Sequence, residues 1–160
     1  MKNSILIRQY KKRDTQALVD IFYNAYHKIM IRDYSQEQID ACAPKIVFEL
    51  SGWQKKWNHN PPIIAIIDDI IVGFAEFELN GHIDCFYVHH SYQSHGIGSA
   101  LIKEIEKIAH QNNINRLFAN VSITAQSFFE KKGFTVLKRQ TIVRRGVKLD
   151  NFVMEKLLTY

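Results

Sequence analysis

One strand–turn–helix segment in the middle of the chain restricts the fold more than any other part of the sequence. The apolar run HIDCFYV ends at Val88, a polar turn with Gly96 and Gly98 follows, and a long amphipathic segment begins at Ile97. Apolar residues of that segment recur at three- and four-residue steps, which is the spacing of one helix face. Another apolar run, RLFANVSI, comes after it. The segment therefore predicts a crossover helix between two strands of a sheet.

The flanking segments place this unit in a longer series of elements. Before it come a short strand, three helical segments of which the first covers residues 14–30, and two strands that meet at a tight turn at Asp68-Asp69. After it come a short helix and two strands joined near Arg145-Gly146. We therefore expect an α/β (α+β) fold with a mixed, mostly antiparallel sheet of about seven strands, flanked by helices on both faces.

Composition excludes several classes of protein. The chain has 160 residues, of which 46% are hydrophobic and 23% charged, enough to bury one substantial core. No apolar run approaches the roughly 20 residues of a membrane-spanning helix, and the N-terminus lacks a signal-peptide cleavage pattern. Cys42 and Cys85 are too few for a disulfide framework. We expect a cytoplasmic protein with two free thiols and no membrane association.

The charged residues point to an anionic ligand but not to a nucleic acid. The formal net charge is +5, which favours anions in general. The basic residues are scattered and form no stripe with interleaved aromatic side chains, so nucleic acid is not an expected partner. Four histidines lie close together in the sequence without HExxH spacing or nearby cysteine pairs. We therefore predict no metal site.

The glycine turn QSHGIG, residues 93 to 98, indicates a loop whose backbone approaches a ligand closely. Glycines at the start of a helix allow its first amides to surround an anion. A Walker A loop requires GxxxxGK[ST], which is absent from the chain. A dinucleotide-binding fingerprint requires a third glycine where Leu101 stands. Both of these nucleotide-binding motifs are therefore excluded.

The turn instead resembles the acetyl-CoA-binding motif Q/R-x-x-G-x-G/A of the GNAT N-acetyltransferase superfamily. The segment NVSITAQSFFEKKGF resembles the second motif of that superfamily, and the order of elements along the whole chain also fits. The likeness in sequence is concentrated in residues 82–134. The resemblance implies one GNAT-like domain, in which residues 1–60 form acceptor-side helices, residues 61–135 the acetyl-CoA-binding core and residues 136–160 the C-terminal strands.

The resemblance also implies how acetyl-CoA, the expected co-substrate, binds. Backbone amides between Ser94 and Ser99 would hold its pyrophosphate. The strand that ends at Val88 would splay from its neighbour and pair with the pantetheine arm, and the Val88 amide would stabilise the oxyanion. Ser122 stands where many members have asparagine, which departs from the family pattern. The residues expected to contact the cofactor are Phe86, Tyr87, Val88, Gln93, Ser94, His95, Gly96, Ile97, Gly98, Ser99, Ser122, Phe128 and Lys131.

Two residues that could take the proton from an acceptor amine precede Val88 on the same strand. Residues two apart share a face of a strand, so His82, Asp84, Phe86 and Val88 are predicted to point the same way. By resemblance, Asp84 is the candidate base or amine anchor, and His82 assists directly or through water. The alternative is that Asp84 only bonds the loop or the charge of the substrate, and that His82 faces solvent.

The proton donor to the leaving thiolate is less well defined. Members of the superfamily often carry a tyrosine four residues before the glycine of the second motif, where this chain has Phe129. Phenylalanine cannot donate a proton, so either the thiolate leaves unassisted or Tyr92, Tyr26 or Tyr34 supplies the proton. Tyr26 and Tyr34 are also the candidates for binding the acceptor.

Taken together, these features favour an N-acetyltransferase. It would move the acetyl group of acetyl-CoA to a primary amine of a small molecule or a protein, by direct attack in a ternary complex, as a monomer or homodimer. Two alternatives stay open. One is a non-catalytic acetyl-CoA sensor, which Phe129 supports because it cannot donate a proton. The other is an acetyltransferase for aminoacyl-tRNA, for which the positive charge would be useful.

Overall fold

The computed structural model describes residues 4–159 and contains a seven-stranded sheet with helices on both faces. In chain order the elements are β1 (Leu6–Gln9), α1 (Thr15–Asn24), α2 (Gln36–Cys42), α3 (Leu50–His59), β2 (Ile63–Ile67), β3 (Ile70–Phe77), β4 (His82–Val88), α4 (Ile97–Gln111), β5 (Arg116–Ser122), α5 (Gln126–Lys131), β6 (Thr135–Arg144) and β7 (Val147–Leu157). Among the described residues, no helix is both long and apolar enough to cross a bilayer.

The strand order is β1-β2-β3-β4-β5-β7-β6, and the neighbours are antiparallel except for the parallel pair β4–β5. Tight turns explain the antiparallel hairpins. Asp68 and Asp69 both have positive φ, as do Arg145 and Gly146, which is the backbone that matches the twist of two-residue hairpins. Helix α4 supplies the crossover that a parallel pair needs. The predicted mixed, mostly antiparallel sheet is confirmed.

Two cores pack on opposite faces of the sheet. On the α4 face, helices α4 and α5 cover a core that includes the fully buried Ile97, Leu101 and Ile105. On the α3 face, helices α1 and α3 cover a second core built around Leu18 and Trp57. The amphipathic stripe of α4 thus places the start of this helix, and the glycine turn before it, against the sheet.

The first helix is shorter than its sequence pattern. Helix α1 ends at Asn24, residues 25–29 form a π turn, and residues 30–32 form a 3₁₀ turn. π turns are wider than α-helical turns and are frequent at functional sites. Here the π turn carries Tyr26, whose hydroxyl lies 3.2 Å from that of Tyr87 on β4.

Strand β4 contains a β-bulge. Ala75 of β3 pairs with Phe86, but Phe77 pairs with Ile83, so two residues of β4 stand opposite Glu76. One extra residue on one strand is the definition of a bulge, and it interrupts the regular ladder.

The bulge reverses the alternation of side chains along β4. Phe86 and Val88 pack against the core on the α4 face. His82 and Asp84 flank Ile83, which is itself part of that core, so they point to the α3 face. The prediction that the four residues share one face is therefore wrong, because it assumed an unbroken period of two.

Strands β4 and β5 separate beyond their first residues. Only His82–Phe118 and Ile83–Ala119 pair between them, whereas β5 pairs with β7 along its whole length. The remainder of β4 therefore has a strand neighbour on one side only, and a gap opens in the centre of the sheet. The splayed strand that the sequence implied is present.

Replacing Gly98 by valine tests the close contact between the start of α4 and α5. A Cβ atom at position 98 would lie 2.8 Å from Cζ and 2.9 Å from Cε2 of Phe128. Because of this overpacking, we expect Gly98→Val to lower the free energy of unfolding by about 1–3 kcal/mol in urea denaturation. Gly52→Ala in α3, where an added Cβ meets nothing within 4 Å, should be neutral or stabilising. Equal destabilisation by both changes would contradict the packing argument.

Candidate active site

Two cavities, one on each face of the sheet, share the residues that border the gap. The α4-side cavity has a volume of about 390 Å³ and lies beside the glycine turn. The α3-side cavity has a volume of about 320 Å³ and lies against α1 and α3. Phe86, Tyr87 and Ser122 line both. Two ligands, one in each cavity, could therefore meet at the gap.

The glycine turn presents unpaired backbone amides to the α4-side cavity. Ser94 and Gly96 both have positive φ, and Gly96 is the N-cap residue of α4. Within the described chain, no backbone carbonyl accepts a hydrogen bond from the amides of residues 93–99. The first amides of a helix have no partner within the helix and carry a partial positive charge. The turn can therefore bind an anion such as a diphosphate.

The rest of the α4-side cavity also suits an anionic ligand. Arg32 and Lys131 line it, and no aspartate or glutamate is among its described lining residues. Thr124 lines it too, and its buried hydroxyl has no hydrogen-bond partner. A buried hydroxyl without a partner loses free energy, so a ligand group that bonds to it would restore that loss.

The free edge of β4 directs amides into the gap. The His89 amide donates to the Val72 carbonyl at 2.7 Å, towards β3. Alternate residues of an antiparallel strand direct their amides to opposite sides. The amides of Val88 and Phe86 therefore point away from β3 and into the gap. The Val88 carbonyl accepts a hydrogen bond from Gln93 Nε2 at 3.2 Å, so the glycine turn is bonded to the end of β4.

Most of the residues that the sequence assigned to the cofactor border the α4-side cavity. They are Phe86, Tyr87, Val88, Gln93, Ser94, Gly96, Ile97, Gly98, Ser99, Ser122, Phe128 and Lys131. His95 is not among its lining residues, because its ring bonds through Nδ1 to the Gln93 carbonyl at 2.8 Å. The Ser122 hydroxyl accepts a bond from the Ala125 amide at 3.1 Å, so it also stabilises the turn before α5.

A three-residue charge cluster lies at one end of the α3-side cavity. Lys56 Nζ on α3 lies 3.1 Å from Glu76 Oε2 and 3.2 Å from Asp84 Oδ2. Glu76 is 1% exposed, whereas Asp84 is 41% exposed. Burial alone would lower the pKa of Lys56, but the carboxylates of Glu76 and Asp84 raise it by more, so the ammonium stays protonated.

The same cluster contains the one group of metal-type ligands that the described residues bring together. Ligand atoms of Glu76, Asp84 and Cys85 lie within 4.8 Å of one another. The ammonium of Lys56 contacts both carboxylates and already neutralises one of them. Burial raises the pKa of the Cys85 thiol well above its usual value, so sulfur is present as the thiol and not as the thiolate that binds metals.

Asp84 and His82, the two candidate proton acceptors, both line the α3-side cavity. Asp84 Oδ1 has no hydrogen-bond partner within residues 4–159 and is free to accept a bond from an incoming amine. His82 Nδ1 lies 2.9 Å from Glu78 Oε1, and its ring stacks on Phe118 with a centroid distance of 5.1 Å. These contacts fix the orientation of the imidazole at the rim of the cavity.

The tyrosines proposed as proton donors differ in their hydrogen bonds. The Tyr34 hydroxyl donates to the Asp150 carbonyl at 2.7 Å and accepts from the Ile123 amide at 2.9 Å, so its proton is already used. The Tyr26 hydroxyl bonds to that of Tyr87, and burial raises the pKa of both.

Both predicted acceptor contacts, Tyr26 and Tyr34, line the α3-side cavity. Tyr92 lines the other cavity. Phe129 is 3% exposed and packs against Phe86, as an apolar residue should.

Sequence reasoning missed the partners of Asp84. Lys56 lies on an ordinary amphipathic helix, and nothing in its local sequence marks it. Glu76 could have been noticed, because a charged residue inside the apolar strand IVGFAEFEL needs a buried partner. The partner itself lies twenty positions earlier, which local patterns do not reveal.

Comparisons with known proteins give likenesses over nearly the whole chain. The family model described as an acetyltransferase (GNAT) domain matches residues 30–157. The chain is 35% identical over 152 residues, 95% of each protein, to YafP, an uncharacterized N-acetyltransferase of Escherichia coli (strain K12). It resembles the crystal structure of a GCN5-related N-acetyltransferase from Rhodopseudomonas palustris, with 30% identity, 99% of each chain covered and a TM-score of 0.91.

A third likeness concerns the fold alone. The PaiA N-acetyltransferase of Thermoplasma acidophilum, whose crystal structure contains coenzyme A, matches with 22% identity and a TM-score of 0.75. The match covers 96% of this chain and 99% of the other. The sheet with its central gap therefore belongs to a fold that a coenzyme A complex also shows.

Replacing Lys56 by methionine tests whether its ammonium compensates the buried charge of Glu76. We expect Lys56→Met to destabilise the protein by about 2–3 kcal/mol, less than for a fully buried pair because Lys56 is partly exposed. The physical reason is that the carboxylate of Glu76 would be buried without a compensating charge. Urea denaturation at neutral pH measures the difference.

Lys55→Met is the matched control for this change, because Lys55 is the exposed neighbour of Lys56 on the same helix. It should change the free energy of unfolding by no more than about 0.5 kcal/mol. In the double variant Lys56→Met/Glu76→Gln, most of the lost stability should return. A deficit that persists in the double variant would show that Lys56 acts through packing and not through charge.

Proposed function

The chain belongs to the GNAT acetyltransferase family, and on that premise we propose that it transfers the acetyl group of acetyl-CoA to a primary amine within a ternary complex. The observation that carries this proposal is the gap between β4 and β5. There, unpaired strand amides lie between an anion-binding turn and a second cavity with a free carboxylate oxygen. Acyl transfer between two bound substrates needs these three parts.

Acetyl-CoA would enter from the α4 face. The amides between Ser94 and Ser99 would bind its pyrophosphate, and Arg32 and Lys131 would attract its negative charge. Its pantetheine amides would pair with the free edge of β4, as an added strand pairs with a sheet edge. This pairing would hold the thioester at the gap, where both cavities meet.

The amine would attack the thioester carbonyl from the α3 face. A new C–N bond forms as the carbonyl oxygen becomes an oxyanion, and the Val88 amide would donate to that oxygen. Asp84 would accept the ammonium proton directly or through a water held by His82, because only the neutral amine has a lone pair. Both side chains line the cavity from which the amine enters.

The nitrogen of the tetrahedral intermediate then loses its second proton to solvent water, and the intermediate collapses with cleavage of the C–S bond. Phe129 cannot protonate the sulfur, and the hydroxyl of Tyr34 is bound to Asp150. We propose that coenzyme A leaves as the thiolate, which the ordinary thiol pKa of about 8.5 permits near neutral pH. A panel of amines in a thiol-release assay tests the proposal. Tight binding of acetyl-CoA without turnover of any amine would instead favour a sensor.

Replacing Gly96 by valine tests the anion-binding turn. Gly96 has a φ of +80°, and an added Cβ meets no protein atom within 4 Å, so the space beside it is free for a ligand. We expect Gly96→Val to weaken acetyl-CoA binding by about tenfold or more in calorimetry, because the side chain fills the space that the pyrophosphate would occupy.

Gly146 provides the matched control. Its φ is +78°, an added Cβ also meets nothing within 4 Å, and it lies in the β6–β7 turn. Gly146→Val should strain the backbone to the same extent, about 1–2 kcal/mol, and leave acetyl-CoA binding unchanged. Normal affinity in a folded Gly96→Val protein would rule out the proposed pyrophosphate site.

Replacing Asp84 by asparagine tests the proton acceptor. We expect Asp84→Asn to lower kcat/KM for the amine by about 10²-fold or more, since asparagine cannot take up a proton, while the Kd for acetyl-CoA changes less than about twofold. Asp20→Asn, the same change at an exposed position of α1, should leave both constants unaffected. Wild-type turnover in Asp84→Asn would remove this carboxylate from the mechanism.

A further inference from the structure

The wall of the α3-side cavity opposite the charge cluster consists of hydrogen-bond donors. Asn120, Arg144 and Asn151, from β5, β6 and β7, line this wall. Asn151 is 9% exposed, which is low for an amide at the surface of a cavity. We call these three side chains the donor wall.

Gln140 fixes which way the two asparagine side chains face. Its Nε2 donates to Asn151 Oδ1 at 2.9 Å and to Asn120 Oδ1 at 3.3 Å. Both amide oxygens are therefore used on the Gln140 side. The NH₂ groups of both residues have no acceptor within residues 4–159, so they are available to a ligand in the cavity. The donor wall is thus prepared for a ligand that accepts hydrogen bonds.

Arg144 adds a positive charge to this wall. Its neighbours in sequence have partners: Arg139 pairs with Asp150 at 2.9 Å, and Arg145 donates to the Ala41 carbonyl at 2.7 Å. Arg144 bonds only to the carbonyl of Val143, and no carboxylate of the described chain pairs with it. Most of its planar donor fork is free, and that fork matches the two oxygens of a carboxylate.

The opposite end of the cavity carries the opposite charge. Lys56 compensates one of the two carboxylates of Glu76 and Asp84, so one negative charge remains there. Between the two ends, the cavity walls include Tyr26 and Trp53 on one side and Leu149 on the other. The cavity thus has a negative end near the gap, an apolar middle and a positive end at the donor wall.

We propose that the acceptor is an amine that also carries a carboxylate, that is, an amino acid or a close analogue. Its ammonium would lie at Asp84, and its carboxylate would bind Arg144, Asn120 and Asn151. The proposal rests on the function proposed above and names its substrate class. An amine without a carboxylate would form no ion pair with the guanidinium of Arg144, so we expect the site to favour the amino acid.

The test compares acceptors that differ only in the carboxylate. The twenty L-amino acids are assayed with acetyl-CoA by thiol release, and the best one is compared with its carboxamide and its decarboxylated amine. We expect kcat/KM for the amino acid to exceed both others by about tenfold or more. In Arg144→Gln the advantage over the decarboxylated amine should fall to less than about threefold, while kcat/KM for that amine, which offers Arg144 no acceptor, changes less than about twofold.

Lys148→Gln is the matched control. Lys148 is an exposed cation on the same hairpin, opposite Val143 in the ladder, and it does not line the cavity. It should leave the preference for the carboxylate intact. A second readout is calorimetric titration of the best amino acid into the protein saturated with coenzyme A, in wild type and in Arg144→Gln.

The two readouts separate this inference from the proposed function. If amines are acetylated but the carboxylate gives no advantage, or if Arg144→Gln behaves like Lys148→Gln, the inference is wrong and the proposed function stands. If nothing is acetylated but amino acids bind through Arg144, the proposed function is wrong and the carboxylate site stands. If amino acids are neither acetylated nor bound, this carboxylate site does not exist.

Discussion

The incomplete pairing of β4 with β5 is the constraint on which the rest of the structure depends. A strand in the middle of a sheet normally has both edges bonded, but β4 has a parallel partner for only its first two residues. The amides of Phe86 and Val88 on that side have no carbonyl of a neighbouring strand to bond, so they are open to a ligand. On one face, helices α4 and α5 pack on the core next to the gap. The sheet can tolerate such a gap because β3 and β7 bond the outer sides of the two strands.

The two cavities that meet at the gap differ in the charges of their lining residues. The α4-side cavity combines helix N-terminal amides with Arg32 and Lys131 and has no acidic lining residue among those described. The α3-side cavity holds the Lys56–Glu76–Asp84 cluster at one end and Arg144 at the other. These charges would attract a polyanion to the first face, and under our proposal the second would hold a smaller ligand with both signs of charge. The net charge of the whole chain predicted the first property but not the second.

The sequence was a good guide to those features that depend on local patterns. The hairpin turns at Asp68-Asp69 and Arg145-Gly146, the crossover helix and the amphipathic stripe of α4 follow from spacing and turn chemistry, and all are present. The resemblance to the GNAT superfamily, which rested on the glycine turn and the second motif, is confirmed. Features that depend on contacts between distant segments were missed, and the ion pair of Lys56 with Glu76 is the clearest of them.

The bulge in β4 shows why a regular period is a weak guide at the candidate active site. No glycine or proline marks it, yet it places Asp84 on one face of the sheet and Val88 on the other. Asp84 and Val88 are four positions apart, so an unbroken ladder would put both side chains on the same face of the sheet. The extra residue opposite Glu76 shifts the alternation by one step, so that Asp84 lines the α3-side cavity while Val88 lines the α4-side cavity. A single irregularity in the backbone thus lets one short strand serve two chambers with different chemistry.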